Sequence, residues 1–309
     1  MQKAITSGPG TGHSGPGGVK DGLDADEAAS VEAPSGKDAD YENFPVGSWL
    51  LPKALRPHIA VFYAFARAID DIADSPDLAP EEKVRRLDGF EAAVTGREVG
   101  DPAFATAHAM RESLSETGVS AAHCIDLITA FKQDATKLRY QNWDDLMGYC
   151  ILSAAPVGRY LLDLHGGSTD GYGPSDALCN ALQVINHLQD CKDDYLTLGR
   201  VYLPGDWMAD AGVVVEDLAK ERSTEGLRRV LDQCLDATET LMVDARRLPG
   251  GLKSRRLAME SAVIIEIADR LIHRLRDEDP LGARRIKLSK PGTLWCGVKG
   301  VLRAWFQTQ

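Results

Sequence analysis

The sequence predicts an all-α fold built as one helical domain, and three observations carry that reading. Apolar residues recur at three- and four-residue spacing through most of the chain beyond Tyr41. Helix-starting and helix-stopping residues bracket those stretches. No segment shows the period-two alternation of a half-buried strand.

The elements follow in order. Residues 1–40 are rich in Gly, Pro, Ser, Asp and Ala. Such a segment cannot bury enough apolar surface to offset ordering entropy, so it is expected to be disordered. Leu55, Ile59, Phe62, Phe65 and Ile69 set a helix over 53–74, where Pro57 is tolerable only in the first turn. Pro80 with Glu81 and Glu82 opens the next helix. Further helices are expected at 103–117, 121–137 and 143–165, the last with Asn142 as N-cap and Asp144 and Asp145 in its first turn. A long apolar helix over 175–198 stops at Gly199, and two more fit 224–247 and 252–277. The domain is expected over 41–291, followed by an amphipathic helix within 292–309. On that helix Leu294, Val298, Val301, Leu302 and Trp305 share one apolar face.

Composition narrows the function. The net charge of −11 over 309 residues disfavours general nucleic-acid binding. From Pro280 onward there is no acid, while Arg284, Arg285, Lys287, Lys290, Lys299 and Arg303 are basic. A basic end on an acidic body suits an anionic ligand or a membrane surface. The six cysteines form neither CxxC pairs nor zinc-spaced clusters. No apolar run reaches transmembrane length and no signal-peptide core is visible. A cytoplasmic protein is expected, with any membrane contact peripheral.

Two acidic clusters carry the chemistry. Asp70 and Asp74, with Asp71 between them, close the 53–74 helix. Asp70 and Asp74 share a face about 6 Å apart along the axis. Like charges at that spacing cost roughly 0.2–0.5 kcal/mol, and the helix C-terminus disfavours anions. A bound cation would remove both penalties. Asn186, Asp190 and Asp194 form a second stripe on a helix too apolar to lie at the surface. Oxygen-only donors on two facing stripes suit Mg²⁺ held jointly with a diphosphate. Arg67, one turn before Asp70, and Arg200, following Gly199, offer guanidinium forks for phosphate oxygens.

These residues resemble a known family. Tyr63-Ala-Phe-Ala-Arg67-Ala-Ile-Asp70-Asp71-Ile-Ala-Asp74 is similar to the first aspartate-rich motif of squalene and phytoene synthases. Gln183 through Asn186, Asp190, Asp194 and Gly199-Arg200-Val-Tyr202-Leu203-Pro204 resembles the second. Tyr149-Cys150 with Ala154 and Val157-Gly158 resembles the helix between them. The resemblance implies an isoprenoid synthase-type helical bundle around a central apolar cavity, with both motifs at its mouth. It implies Mg²⁺ on Asp70, Asp71, Asp74, Asn186, Asp190 and Asp194, and catalytic roles for Asp70, Asp74, Asp190, Asp194 and Tyr149. Substrate contacts would come from Asn43, Phe44, Arg67, Val157, Gly158, Gln183, Arg200, Tyr202 and Arg285.

Some positions depart from the usual pattern. Tyr41-Glu42-Asn43-Phe44-Pro45 stands where serines are common, Gln189 stands where Arg is common, and Pro156 and Arg159 flank Val157-Gly158. The first and last of these resemble the branch of the family that takes presqualene diphosphate, expels diphosphate and lets water capture the cation as hydroxysqualene. That branch implies handover from a presqualene diphosphate synthase and to a hydroxysqualene reductase. Tyr149 and Gln183 are the candidates to orient the water. The alternatives are a head-to-head prenyltransferase making presqualene diphosphate or phytoene, and a non-catalytic helical scaffold. The intact acidic positions speak against the scaffold. A complete NADPH-dependent squalene synthase is disfavoured because the C-terminal anchor typical of its eukaryotic forms is missing.

Overall fold

A computed structural model describes residues 51–307, with the side chains of residue 290 and of residues 302–307 left out. The 1–40 segment, Asn43 and Phe44 lie outside the described residues, as do the side chains of Leu302 and Trp305.

The first half of the described chain packs four helices around one apolar cluster. They are α1 (Arg56–Asp74), α2 (Pro80–Val94), α3 (Ala105–Thr117) and α4 (Ala122–Asp134). Pro57 sits in the first turn of α1, where its missing N–H costs nothing. Phe62, Phe65, Ile69 and Ile72 of α1 bury against Leu87 and Phe90 of α2, Met110 of α3, and Leu127 and Ile128 of α4. α4 ends at Asp134, three residues before the expected boundary.

The stretch expected as one helix over 143–165 is two, α5 (Trp143–Ser153) and α6 (Ala155–Leu164). The junction residue Ala154 has φ −122° and Pro156 follows in the first turn of α6. A proline there has no N–H to continue the i→i−4 ladder, so the chain breaks and restarts. Asn142 caps α5 as expected, its side chain accepting from the Asp145 amide at 2.9 Å.

The long α7 (Tyr172–Asp193) starts three residues early and passes into one π-helical turn over Asp194–Leu198. Gly199 then ends it in the left-handed region, φ 66°. The expectation of no strand fails at one place: β1 (Arg139–Tyr140) pairs in parallel with β2 (Val201–Pro204). Strands this short show no alternation. Their pairing sets the start of β2 beside the end of α4.

After β2 come α8 (Gly205–Asp210), α9 (Glu225–Ala245), α10 (Leu248–Gly251), α11 (Arg255–Asp277) and α12 (Lys290–Gln307). Thr224 and Ser254 cap α9 and α11 through their hydroxyls. α7, α9 and α11 share a second apolar cluster, with Val184, Ile185 and Leu188 against Val230, Leu231 and Ile267.

α12 packs on α11, with Val301 of the expected apolar face against the core and Leu294 and Val298 of that face exposed. Gly300 makes the closest approach: a Cβ there would fall 2.6 Å from the Val263 Cα. Cys296 is buried on the same seam, and Lys299 reaches the largely buried Glu266 at 2.7 Å. Leu294, Trp295 and Val298 point outward, 71, 64 and 48% exposed. Among the described residues no helix is long and apolar enough to cross a membrane.

Candidate active site

Each acidic motif closes a helix rooted in a different apolar cluster. On α1, Tyr63, Arg67, Asp70 and Asp74 are half-buried and share one stripe, while Phe65, Ile69 and Ile72 anchor the opposite face. On α7 and its π-turn, Gln183, Asn186, Asp190 and Asp194 are likewise half-buried, flanked by buried Val184, Ile185, Leu188 and Cys191. Both expected stripes therefore exist and reach solvent. Asp71 departs from the expectation: one residue round the helix from Asp70, it is buried and lies off the stripe.

Arginines neutralise the acids. Arg67 pairs with Asp70 at 2.7 Å. Arg285 forks onto Asp190, with its Nη2 at 2.7 Å from Oδ2 and its Nε donating to Oδ1. Arg285, expected as a substrate contact, thus binds the second motif itself. Gln189, where the family pattern often has Arg, is buried, and its amide donates to the Ile286 carbonyl beside Arg285.

Arg200, expected as a diphosphate ligand, is held by the end of the first motif. It is only 5% exposed and is committed to protein on three sides. Its Nη1 meets Asp74 Oδ1 at 2.5 Å, its Nη2 donates to the Ala73 carbonyl at 2.8 Å, and its Nε donates to the Asp134 carbonyl at 3.1 Å. Lys83 donates to the same Ala73 carbonyl at 2.8 Å. Two cations at the C-terminus of α1 oppose the helix dipole and help offset the cost of closing that helix on acids. The residue following the second motif thus braces the first.

Behind this brace lies a buried polar cluster. The Tyr149 hydroxyl donates to Asp134 Oδ2 at 2.6 Å and the Tyr202 hydroxyl donates to Oδ1 at 2.8 Å. Burial pushes the Asp134 carboxyl up to about 6, against the opposing pull of Arg200 and the two phenols. The His187 ring stacks on Tyr202 at 3.7 Å, and burial, aided by Arg200, pulls its imidazole down to about 3. His187 is therefore neutral at ordinary pH. Tyr202, expected as a substrate contact, is buried, with its hydroxyl on Asp134. Sequence reasoning missed Asp134. Its only signal was an acid on the apolar face of its helix, one turn past Ala130 and two past Leu127.

Val157 and Gly158 do not act alike. Val157 is half-buried against the first cluster. Gly158 is buried where α6 crosses α7, and a Cβ there would come 2.3 Å from Ser175 Oγ and 2.7 Å from Cys179 Sγ. Close helix packing requires a glycine here. Arg159 forks onto Asp176 of α7, at 2.9 and 2.7 Å.

Among the described residues no group of three or more His, Cys, Asp or Glu is gathered tightly enough to hold a metal ion alone. The all-oxygen donor set still fits Mg²⁺, which keeps waters and is usually bound by one or two carboxylates together with substrate phosphates. A cavity of about 780 Å³ lined by Pro52, Lys53, Arg56, Arg256, Met259 and Val301 opens elsewhere. Arg56 is about 21 Å along α1 from Asp70 at 1.5 Å per residue, so this is not the aspartate site.

The chain is thus largely helical, with two acid-bearing helix ends linked by an arginine following the second. The chain belongs to the squalene/phytoene synthase family, whose model matches residues 38–291. It is 46% identical over 256 residues to the hydroxysqualene synthase of Rhodopseudomonas palustris, covering 83% of this chain and 87% of that one. It is 41% identical to the hydroxysqualene synthase of Sinorhizobium fredii, again covering 83% and 87%. Among solved structures, a squalene synthase from Alicyclobacillus acidocaldarius matches with TM-score 0.67 and 31% identity, covering 77% of this chain and 89% of that one.

Proposed function

We propose that the protein ionises presqualene diphosphate and lets water capture the rearranged cation, releasing hydroxysqualene and diphosphate. One observation carries the reading: relatives named hydroxysqualene synthase match along most of the chain, across both acid stripes and the helices between them. Asp70, Asp74, Asn186, Asp190 and Asp194 would hold Mg²⁺ at the two helix ends, with Asp71 behind them. When bound, the metal neutralises charge on the departing diphosphate as a Lewis acid. Arg67 and Arg285, each on a motif acid, sit where they can exchange a carboxylate for a phosphate oxygen. The Tyr149, Tyr202 and His187 rings, with centroids 3.7–6.0 Å apart, form an aromatic wall beside α7. Their electron-rich faces suit a carbocation.

Product analysis by mass spectrometry tests this, using pure presqualene diphosphate and Mg²⁺ without NADPH. Hydroxysqualene is the expected product. Efficient condensation of farnesyl diphosphate instead would move the protein to the prenyltransferase branch.

Substrate and product are lipids, so one enzyme must supply presqualene diphosphate and another must reduce hydroxysqualene. We place the protein in the cytoplasm, touching the inner face of the membrane through α12. Outward Leu294, Trp295 and Val298 and the acid-free stretch from Pro280 support that placement. Full-length protein should sediment with anionic vesicles, less so as salt rises, and a variant with serine at those three positions should not. Equal sedimentation of both would remove α12 as the contact.

A further inference from the structure

Tyr149 and Tyr202 reach Asp134 from different elements, α5 and β2, and each gives its proton to a different carboxylate oxygen. A phenol has one proton to donate. Once that proton is committed, the phenol oxygen can only accept. Asp134 therefore fixes more than the position of Tyr149: it fixes the polarity. The negative charge beside the phenol also makes its oxygen a stronger acceptor.

The Tyr149 ring lies 6.0 Å from that of His187, the residue following Asn186 on the α7 stripe. The Tyr149 ring thus packs beside the helix that carries the second motif. The same residue, Asp134, receives Arg200 on its backbone carbonyl, and Arg200 holds Asp74 of the first motif. One residue at the end of α4 therefore sets both the aromatic wall and the brace behind Asp74.

We infer that Asp134 is the positioning residue for water capture: it holds Tyr149 as an acceptor-only phenol that orients the attacking water. The inference rests on the hydroxysqualene reading and deepens it. Diphosphate leaves with the C–O bonding pair. The water oxygen, its O–H held by Tyr149 Oη, forms the new C–O bond to the cation. One water proton passes to Tyr149 Oη as the phenol proton passes to Asp134 Oδ2 across the 2.6 Å bond. No oxidant or reductant is needed.

The charged and titratable groups around Asp134 are Arg200 just before β2, Tyr202 on β2, Tyr149 and Cys150 on α5, Tyr140 on β1, Asp74 on α1 and Lys83 on α2. Burial outweighs the cations and phenols, so this carboxyl takes up its proton near pH 6.

Asp134→Asn is the direct test. It keeps the shape but offers one acceptor oxygen and an NH₂ donor, so one phenol must turn round. Two quantities are read with presqualene diphosphate and Mg²⁺: diphosphate released, and hydroxysqualene formed per diphosphate. Whatever the change in release rate, the hydroxysqualene fraction should fall by about tenfold or more in favour of other terpenes. Tyr149→Phe should lower the fraction similarly, and the double variant no further. Should Asp134→Asn fail to fold, Tyr149→Phe and the wild-type pH profile carry the test. The wild-type fraction should decline below about pH 6, with no such decline in Tyr149→Phe. An unchanged hydroxysqualene fraction in Asp134→Asn, or a wild-type fraction flat through pH 6, would overturn the inference and leave the function standing. Wild-type enzyme that makes no hydroxysqualene would instead overturn the function.

Discussion

Replacing Arg200 with methionine removes its three hydrogen-bonded contacts while keeping much of the volume. The ion pair with Asp74 has side-chain exposures of 6 and 19%, so it is largely withdrawn from water. Removing one partner of a buried pair typically costs about 3–5 kcal/mol, because the other charge is left uncompensated. Asp74 keeps some solvent, which argues for the lower end. The Asp134 carbonyl loses its Arg200 donor, adding about 1 kcal/mol, whereas the Ala73 carbonyl keeps Lys83. The expected loss is about 3–5 kcal/mol, or about 5–9 °C in Tm for a chain of this size. Arg229→Met is the control, since its pair with Glu225 is exposed at 59 and 91% and should be worth little. Chemical denaturation with two probes, one aromatic and one far-UV, would give both values. An Arg200→Met protein within about 1 kcal/mol of wild type would refute the brace.

Asp70→Ala and Asp190→Ala should each lower kcat/KM by about a thousandfold or more while far-UV spectra stay native, and metal chelation should stop turnover until Mg²⁺ is restored. Full activity in either variant, or in thoroughly metal-stripped enzyme, would count against the paired stripes. Gly158→Ala should cost about 1–3 kcal/mol by driving α6 off α7, and Ser175→Ala in the same chain should recover part of it, as denaturation midpoints would show. His187 is held neutral in the fold, its imidazole down from 6.5 to about 3. Between those values the unfolded chain binds the extra proton, so this group makes stability rise with pH across that window, by at most about 5 kcal/mol. His187→Phe, which keeps the stack on Tyr202, should flatten the acid limb of a stability–pH curve. An unchanged slope would exclude His187 as its source.

Most of the helices and both acid stripes were legible because they depend on spacing along one element. Asp70 and Asp74, or Asn186, Asp190 and Asp194, are neighbours in any helix, whatever packs around it. Caps at Asn142, Thr224 and Gly199 were local for the same reason, although only Asn142 and Gly199 were read in advance. What escaped depends on long-range contact. The break at Ala154 needed Pro156 to be weighed as a helix start rather than an interior residue. The two strands are too short to carry a period, yet they bring Arg200 and Tyr202 to Asp134, more than sixty residues away in sequence. Arg200 was read as a phosphate ligand because an arginine beside an acidic motif is chemically suited to one; its burial and its Asp74 partner could not be read from spacing. On α12 the spacing did not tell which side meets α11, because Gly300 and Cys296, which let the helix approach closely, carry no apolar periodicity.

The central claim, that this site ionises presqualene diphosphate and admits one water, is tested most directly by running the reaction in heavy-oxygen water with Mg²⁺ and no NADPH. Hydroxysqualene should carry one heavy oxygen atom, and one diphosphate should be released for each alcohol formed. An alcohol with oxygen of ordinary mass, or diphosphate released with only hydrocarbon formed, would contradict it.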